Sequence, residues 1–598
     1  LEARAACGAA IALASGRGSA GNLSVGEAIE RAAELLRRVP ASADRERAVI
    51  VDEVSAALLG PRFEVTAGGA LRAERPDDGV RTILGRATPT VGRERELNLL
   101  VQACRDSADE PAAAALVVVG DAGVGKSRLR HEVIARLGGS ARVWSGRGDP
   151  VRAGSPFSLL GSALRRRLGV DDIATAAART AAVRRVQVAV EDVGLDDAER
   201  VTAFLAELIG APPVGMATAQ LAAARRQPRL MNDQLRRAFL ELVAAELARG
   251  PIVWTFDDLH WGDAPSIELV DEALRAFADR PLAVIGFARP EVEGLFPRLW
   301  AQRGATQVRL GPLAKKAATR LAEGVLGVGA APATIAAVVE RAGGNAFFLE
   351  ELLRAAAGGE VDRLPETVVA MVQVRLEALA APARQVLRAA AVLGSRFAVT
   401  PLAALLGSEL PERELDQLLA DLVARELLVA EDLDRRELSF RHDTIREAAY
   451  GTLLDSDRQL AHRTAGLWLE AQHERDALTV AQHLEAGGEE ARAALWYRYA
   501  AEHALEAGDP HAVIDRAARG LECGAVEHER GGLLLLACIA HDWLGETEAT
   551  ERCALGALDA AREGSAVWLR AAAELAVVAG RLGNHHLLVG VARDLARA

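Results

Sequence analysis

The sequence predicts an α/β domain built on a doubly wound parallel sheet, followed by a long helical region. Three observations carry that prediction. Five apolar residues, Ala115 to Val119, lead through a glycine-rich turn into a helix at Lys126. A second apolar run, Ile252 to Phe256, ends in two consecutive aspartates, Asp257 and Asp258. Beyond residue 455 the strands give out, and glycine turns recur at spacings of 37 and 38 residues between amphipathic helices. Strands buried on both faces read as continuous apolar runs, and their alternation with helices marks a sheet covered on each side.

At 598 residues the chain is long enough for about three to five domains. Its 71 basic residues against 83 acidic ones leave a net charge of −12, which argues against nonspecific binding to nucleic acid or an anionic membrane. Five cysteines (Cys7, Cys104, Cys523, Cys538, Cys553) form no CxxC pair and no metal-ligand spacing. The odd, scattered set predicts reduced thiols in a cytoplasmic protein, with Cys538 and Cys553 as small core residues. The longest apolar run, Leu533 to Ala540, falls far short of the ~20 residues that span a bilayer, and no signal peptide is visible. A start at Leu1 without Met and an end inside a repeat predict a piece of a longer protein.

Residues 1–75 alternate short apolar runs with helices and predict a small α/β piece. They resemble the C-terminal part of class III nucleotide cyclase domains, which carry a Gly-acid-x-Val-Asn-x-Ala-Ala-Arg-Leu helix. That stretch reads here Gly26, Glu27, Ala28, Ile29, Glu30, Arg31, Ala32, Ala33, Glu34, Leu35. The family's transition-state Asn falls on Glu30 and its Arg on Glu34. A carboxylate at either place repels developing negative charge in a dry site, and the metal-binding half of such a domain is absent. The resemblance therefore implies an inactive remnant without cyclase activity; an unrelated α/β cap is the alternative. Residues 76–87 mix Pro, Gly and charge without a period and predict a linker.

Within 88–310, residues Gly120, Asp121, Ala122, Gly123, Val124, Gly125, Lys126 and Ser127 form the pattern G-x-x-x-x-G-K-S, a phosphate-binding loop. The glycines let backbone N–H groups curl round an anion, and the helix N-terminus adds a favourable dipole. Lys126 is one of three lysines against 68 arginines, kept where a compact ammonium is needed. It would reach the β- and γ-phosphates of ATP, Ser127 would ligate Mg²⁺, and Arg128 completes this part of the cofactor-binding set. The second strand is expected around Arg142 to Ser145. Asp257, at the sheet's C-terminal edge, would hold Mg²⁺ directly or through water, and Asp258 would orient or activate water. The alternative is a strand followed by an acidic helix cap, a role expected of Asp263 before Ala264 and Pro265. The run Arg165 to Arg167 is expected to be a solvated face, because no aromatics interleave. The stretch 171–225 reads as Ala-rich helix, and 232–249 as an amphipathic helix.

The string Asp257-Asp258-Leu259-His260-Trp261-Gly262-Asp263 resembles the STAND signal-transduction ATPases and LuxR-type ATP-dependent regulators. Thr90-Val91-Gly92-Arg93-Glu94 resembles the VGRE box of AAA+ and STAND ATPases, whose backbone lines the adenine pocket; this implies a nucleotide role for Val91, Gly92 and Arg93. A fourth strand, Leu282 to Phe287, leads to Arg289, which resembles the sensor arginine that reads the γ-phosphate, a task suited to bidentate guanidinium pairing. The alternative is a surface arginine before the turn residue Pro290. His260 and Trp261 are expected only to pack. Thr306 to Leu310 is the fifth strand.

Residues 311–375 predict a helical lid. In it, Arg341 to Leu352 resembles the family's GNPFFLEEL motif, with Ala346 at the proline position; Asn345 is expected to cap a helix beside the nucleotide. Residues 376–455 have a winged-helix outline, with a hairpin of Leu427 to Glu431, a turn from Asp432 to Arg436, and Glu437 to Arg441. Five acids against two arginines in 411–428 would repel DNA phosphates, so a nucleotide lid fits better than a DNA reader. Phe440-Arg441-His442-Asp443 resembles the His-Asp motif with which STAND lids contact the ADP β-phosphate; a hydrogen-bonded histidine at a strand–helix junction is the alternative. Residues 456–598 resemble tetratricopeptide (TPR) repeats, which stack helix pairs into an α-solenoid that binds proteins or peptides; an irregular bundle is the alternative.

The resemblance, firmest over residues 90 to 455, implies a switch driven by ATP/ADP exchange with Mg²⁺ and a slow ATPase that serves as a timer. It further implies protein or peptide partners on the repeats and a nucleotide-dependent oligomer, without direct nucleic-acid or membrane binding. Two alternatives remain: the regulatory C-terminal part of a multidomain Ser/Thr protein kinase or adenylate cyclase, or a LuxR-type activator whose DNA-binding domain lies outside this chain.

Overall fold

The computed structural model describes residues 11–13, 27–37, 49–51, 63–65, 70–74, 82–83 and 86–87. From residue 90 onward it describes all but 171–172, 174–175, 213–218, 328–329, 358–366, 408–409, 433–436, 473–475 and 598. The chain divides into two compact units, Leu1–Pro89 and Thr90–Ala598. In the first, Ile11–Leu13 pairs in parallel with Val49–Val51, which lies antiparallel to Ala70–Glu74, itself antiparallel to Phe63–Val65. Glu27–Arg37 is a helix. It includes Glu30 and the exposed Glu34 of the cyclase-like stretch, whose Gly26 lies outside the described residues. The stretch read as an aperiodic linker contains a short ribbon, Thr82–Ile83 against Arg86–Ala87. Strands of two residues are too short to display a period, though Thr82 and Ile83 are β-branched and favour extended backbone.

The second unit is organised on five parallel strands: β1 (Ala114–Val119), β2 (Arg142–Arg147), β3 (Ile252–Asp257), β4 (Leu282–Ala288) and β5 (Thr306–Arg309), in the order β5-β1-β4-β3-β2. Every residue of β3 and β4 is buried, which is why both read as unbroken apolar runs. One face packs against helices α1 (Glu94–Asp109) and α2 (Lys126–Leu137), through Leu97, Leu100, Leu129 and Val133. On the other, Trp144 and Trp254 stack at 5.7 Å beneath Phe204 and Phe239. The Ala-rich stretch resolves into Ala176–Asp192, Ala198–Leu208 and Ala219–Ala224, and α3 (Pro228–Ala248) follows.

The run Arg165 to Arg167 departs from the expected solvated face. Arg165 donates to the Ile209 carbonyl at 2.8 Å, and Arg167 shares the buried Glu246 with Arg142. Only Arg166 is exposed. A helix whose neighbours bring carbonyls and a carboxylate to its flank uses arginines as internal braces, a context local charge counting does not see.

Among the described residues four helices follow the sheet: Lys315–Leu326, Pro332–Ala342, α4 (Ala346–Ala357) and Val368–Glu377. Next comes an antiparallel sheet of β6 (Arg396–Ala398), β7 (Leu428–Asp432) and β8 (Glu437–Phe440) in the order β6-β8-β7, packed with helices Ala381–Leu393, Val399–Leu406 and Glu412–Ala424. Residues 433–436 of the expected turn lie outside the described residues. Helix α5 (Asp443–Gly451) leaves β8. From Asp455 the described chain is helical, each helix packing on the next, and Gly508, Gly545 and Gly583 turn the chain at φ of +77°, +75° and +65°. Left-handed backbone of this kind favours glycine, which explains the recurring marks. Cys104, Cys523 and Cys538 are buried free thiols, Cys553 is a half-buried one, and Cys7 lies outside the described residues. Among the described residues no helix is long and apolar enough to cross a membrane.

Candidate functional site

The loop between β1 and α2 is shaped by two left-handed glycines, Gly123 (φ +81°) and Gly125 (φ +103°). A β-carbon built on Gly125 would meet nothing within 4 Å, so the main chain there borders open space. Lys126 is buried and folds back so that Nζ donates to the carbonyls of Gly120 (2.6 Å) and Asp121 (2.8 Å). Burial lowers its pKa, while Asp258 and Asp257 pull the other way.

The Ser127 hydroxyl lies near enough to the Asp257 carboxylate to help lower its pKa, and Arg130, one turn into α2, pairs with that carboxylate at 3.4 Å. Burial pushes this carboxyl up, yet Arg130, Arg147 and Ser127 together hold it below its usual value. Asp258 sits at φ +52°, a conformation that strains a residue with a side chain. Its carboxylate accepts from Arg147 Nε at 3.0 Å. Burial, and then the charge of Asp257, push Asp258 up to about 7. A carboxyl poised there could take or return a water proton near neutral pH. Two adjacent acids thus have different environments: Asp257 stays anionic and can meet a cation, whereas Asp258 titrates.

These residues fit a Mg²⁺-bound nucleotide. The main chain at Gly125 borders open space, the Lys126 ammonium stands at the base of the loop, and the Ser127 hydroxyl lies near the anionic carboxylate. Among the described residues no group of three or more His, Cys, Asp or Glu is arranged to hold a metal. One hydroxyl and one carboxylate suit Mg²⁺, which keeps waters and takes phosphate oxygens.

The remaining sequence-predicted residues tie this loop to the helices after the sheet. Val91 is half-buried. Gly92 has φ +70°, and a β-carbon on it would stand 2.5 Å from Ala317 Cβ in helix Lys315–Leu326. The buried Arg93 guanidinium donates to the carbonyls of Val124 (3.1 Å) and Gly311 (2.6 Å), so it braces protein to protein. Arg128 Nε donates to Thr90 Oγ1 at 3.2 Å. Asn345 accepts from Phe348 N through Oδ1, capping α4, and donates from Nδ2 to the Ala122 carbonyl, both at 3.0 Å. Phe347 N donates to the Gly123 carbonyl at 3.0 Å.

Arg289, at the tip of β4, donates to Asp443 at 3.2 Å and approaches Glu447 at 3.7 Å, both in α5. Asp443 also accepts from Ser395 Oγ at 2.8 Å. The His442 ring stacks on Phe347 at 4.0 Å with an 8° tilt, and its Nδ1 accepts from Thr444 N. That bond assigns the ring proton to Nε2. Lys126, Ser127, Asp257, Asp258 and Arg289 thus gather at the carboxyl edge of the sheet, with Asn345 and His442 linked to the loop through α4.

Sequence reasoning missed Arg130 and Arg147, and gave His260 only a packing role. Arg130 lies three residues past Ser127, one helical turn on, which was legible. Arg147 ends β2 as Arg289 follows β4, so the same strand-tip argument applied. His260 is buried against Trp261 at 5.0 Å and accepts from Arg289 N.

One family model matches the part of the chain that carries most of the sheet. Residues 89–285 match the family model of the AAA ATPase domain, so the chain carries such a domain on its parallel sheet. An uncharacterized protein of Rhizobium meliloti is 28% identical over 409 residues, which cover 63% of this chain and 36% of that protein; the chain spans about a third of this curated relative's length. Among solved structures, the chain is similar to a Signal Transduction ATPase with Numerous Domains (STAND) protein with a tetratricopeptide repeat sensor from Pyrococcus horikoshii. That likeness has a TM-score of 0.40 and 13% identity, over 82% of this chain and 68% of the other. The ORC1 protein of Aeropyrum pernix, solved in complex with DNA, gives 0.28 and 15% over 61% and 94%.

Proposed function

We propose that this chain is an ATP-dependent signal-transduction switch of the STAND kind. Its nucleotide state would set whether residues 311–375, as a lid, and 376–455, as a winged helix, close over the ATPase domain. The reading is carried by one observation: the lid bonds the carbonyls of the phosphate loop itself, Asn345 to Ala122 and Phe347 to Gly123. Movement of that loop on nucleotide exchange is then felt directly by the lid, and closure of the lid by the loop. A ligand shifts such an equilibrium only by binding the two arrangements unequally, which contacts on the loop make possible.

In this reading Gly120 to Gly125 and Lys126 hold the phosphates, Ser127 and Asp257 hold Mg²⁺, and Asp258 positions water; Arg128 and the Val91–Arg93 turn complete the pocket. Magnesium supplies charge neutralisation of the phosphates. Arg147 keeps Asp258 in place, and Arg289 and His442 report the phosphates to α5. The helices beyond residue 455 serve as the sensor array. They meet the ATPase domain through the loop that follows β2: Thr479 Oγ1 donates to the Val151 carbonyl at 3.2 Å, and Ser155 Oγ to Asp476 at 2.7 Å. Gly148 N, at the start of that loop, donates to the Asp257 carbonyl at 2.9 Å. A partner protein or peptide on the array would thereby reach the catalytic edge and favour exchange and oligomerisation. The test is adenine-nucleotide content and rebinding by the purified chain. Retention of ADP or ATP, lost on Lys126→Ala, is expected; a chain that neither carries nor rebinds nucleotide overturns the proposal.

A further inference from the structure

The turn after β3 holds an imidazole for which the switch reading has assigned no task. His260 is 4% exposed. Its Nδ1 accepts from the main-chain N–H of Arg289 at 3.4 Å. A neutral imidazole has one acceptor and one donor nitrogen, so this bond assigns the proton to Nε2. Among the described residues Nε2 is buried without a hydrogen-bond partner. Buried N–H donors almost always have an acceptor, so one left over three residues past the Asp257 carboxylate points to a ligand atom. Trp261 packs against the ring at 5.0 Å with a 44° tilt.

The surroundings say what kind of atom that is. Burial, then the charges of Arg289 and Lys126, lower the His260 pKa to about 4, against Glu291 and Asp443. The ring is therefore neutral near pH 7 and remains a donor among cations. Donors of this sort, beside the ammonium at the base of a phosphate loop, suit an anionic oxygen.

We propose that His260 donates from Nε2 to the terminal phosphate of a bound nucleoside triphosphate and, through Nδ1, ties that phosphate to the main chain of Arg289. The inference rests on the switch reading above and deepens it. Arg289 holds Asp443 and Glu447 of α5 with its guanidinium. The imidazole thus lies between the phosphate and the strand tip that grips α5. A diphosphate leaves Nε2 without its acceptor, so the two nucleotide states differ at this residue.

The test uses the full chain with Mg²⁺ and fluorescent ATP and ADP analogues, comparing wild type with His260→Asn and His260→Phe. Asparagine keeps an acceptor near Nδ1 for Arg289 N but has no atom at Nε2; phenylalanine keeps the contact with Trp261 and removes both nitrogens. Each is expected to weaken ATP about tenfold while leaving ADP within about twofold, the loss of one hydrogen bond to a charged group. His260→Gln, which can carry an N–H to the Nε2 position, should recover most of the ATP affinity. An unchanged ATP-to-ADP ratio in both folded variants, or equal weakening of both nucleotides, overturns the role of His260. A wild-type chain that binds neither nucleotide overturns the switch reading itself.

Discussion

Lys126 is the residue on which the site's charge balance turns. Its ammonium lies buried between two loop carbonyls and within the field of Asp257 and Asp258. Removing it leaves two clustered carboxylates facing whatever phosphate arrives. Lys126→Ala should lower nucleotide affinity on the order of 100-fold with little change in thermal stability, measured by titration calorimetry and unfolding. Gly123 is bounded differently: a β-carbon would stand 2.5 Å from Asn345 Oδ1, at a φ of +81°. Gly123→Ala combines ~1–2 kcal/mol of backbone strain with displacement of Asn345. The expected outcome is a chain whose residues 311–375 are cut faster by protease while the sheet stays intact. At this scale the loop and the paired acids were legible because phosphate chemistry needs fixed residue types at fixed spacing. Arg147 and Arg130 were not singled out among 68 arginines: their places at a strand tip and one turn past Ser127 were readable, but only the fold shows that they pair with Asp258 and Asp257.

Elements of this fold are joined by single polar residues. Asp263 caps helix Ala264–Ala276 through Ser266 N at 2.9 Å, and its carboxylate also accepts from Phe157 N and Leu159 N at the start of helix Ser158–Leu168. The sequence announced the first cap; the second joins segments more than 100 residues apart and has no local signal. Asp263→Ala leaves several buried N–H groups unpaired at two helix starts, and a loss of about 3 kcal/mol is expected in denaturant unfolding. A loss below about 1 kcal/mol would contradict the shared cap. β3 and β4 were readable because both faces are covered. β5, at the edge, buries Val308 while Thr306, Gln307 and Arg309 face out, so its pattern is weaker.

Across the whole molecule, helix α5 is joined to the helices beyond residue 455 by a chain of rings. Tyr450 hydroxyl meets His462 Nε2 at 2.8 Å, and His462 Nδ1 meets His483 Nδ1 at 2.9 Å. Burial lowers the pKa of His483 to about 3 and of His462 to about 4. Unfolded histidines titrate near 6.5, so between that pH and about 4 the unfolded chain binds more protons than the folded one. Stability from the neutral pair is therefore complete above about pH 6.5 and falls as the pH drops through this window. By pH 5 the loss is on the order of 2 kcal/mol for one histidine. Melting temperatures of wild type and His483→Gln between pH 7.5 and 5 check this: the variant should show the shallower slope. The helical character of residues 456–598 and its turns at Gly508, Gly545 and Gly583 were legible from the glycine marks. Its seating on the loop after β2 was not, because Thr479 and Asp476 are ordinary surface-type residues in sequence.

The central claim is that nucleotide identity sets the closure of α5 onto the tip of β4. Spin labels at the exposed Glu110, beyond α1, and Leu454, just past α5, report that closure as a distance. With ADP the distribution should be narrow and short, and with Mg²⁺ and a non-hydrolysable ATP analogue a longer population should appear. Identical distributions in the two states, with both nucleotides demonstrably bound, would contradict the account.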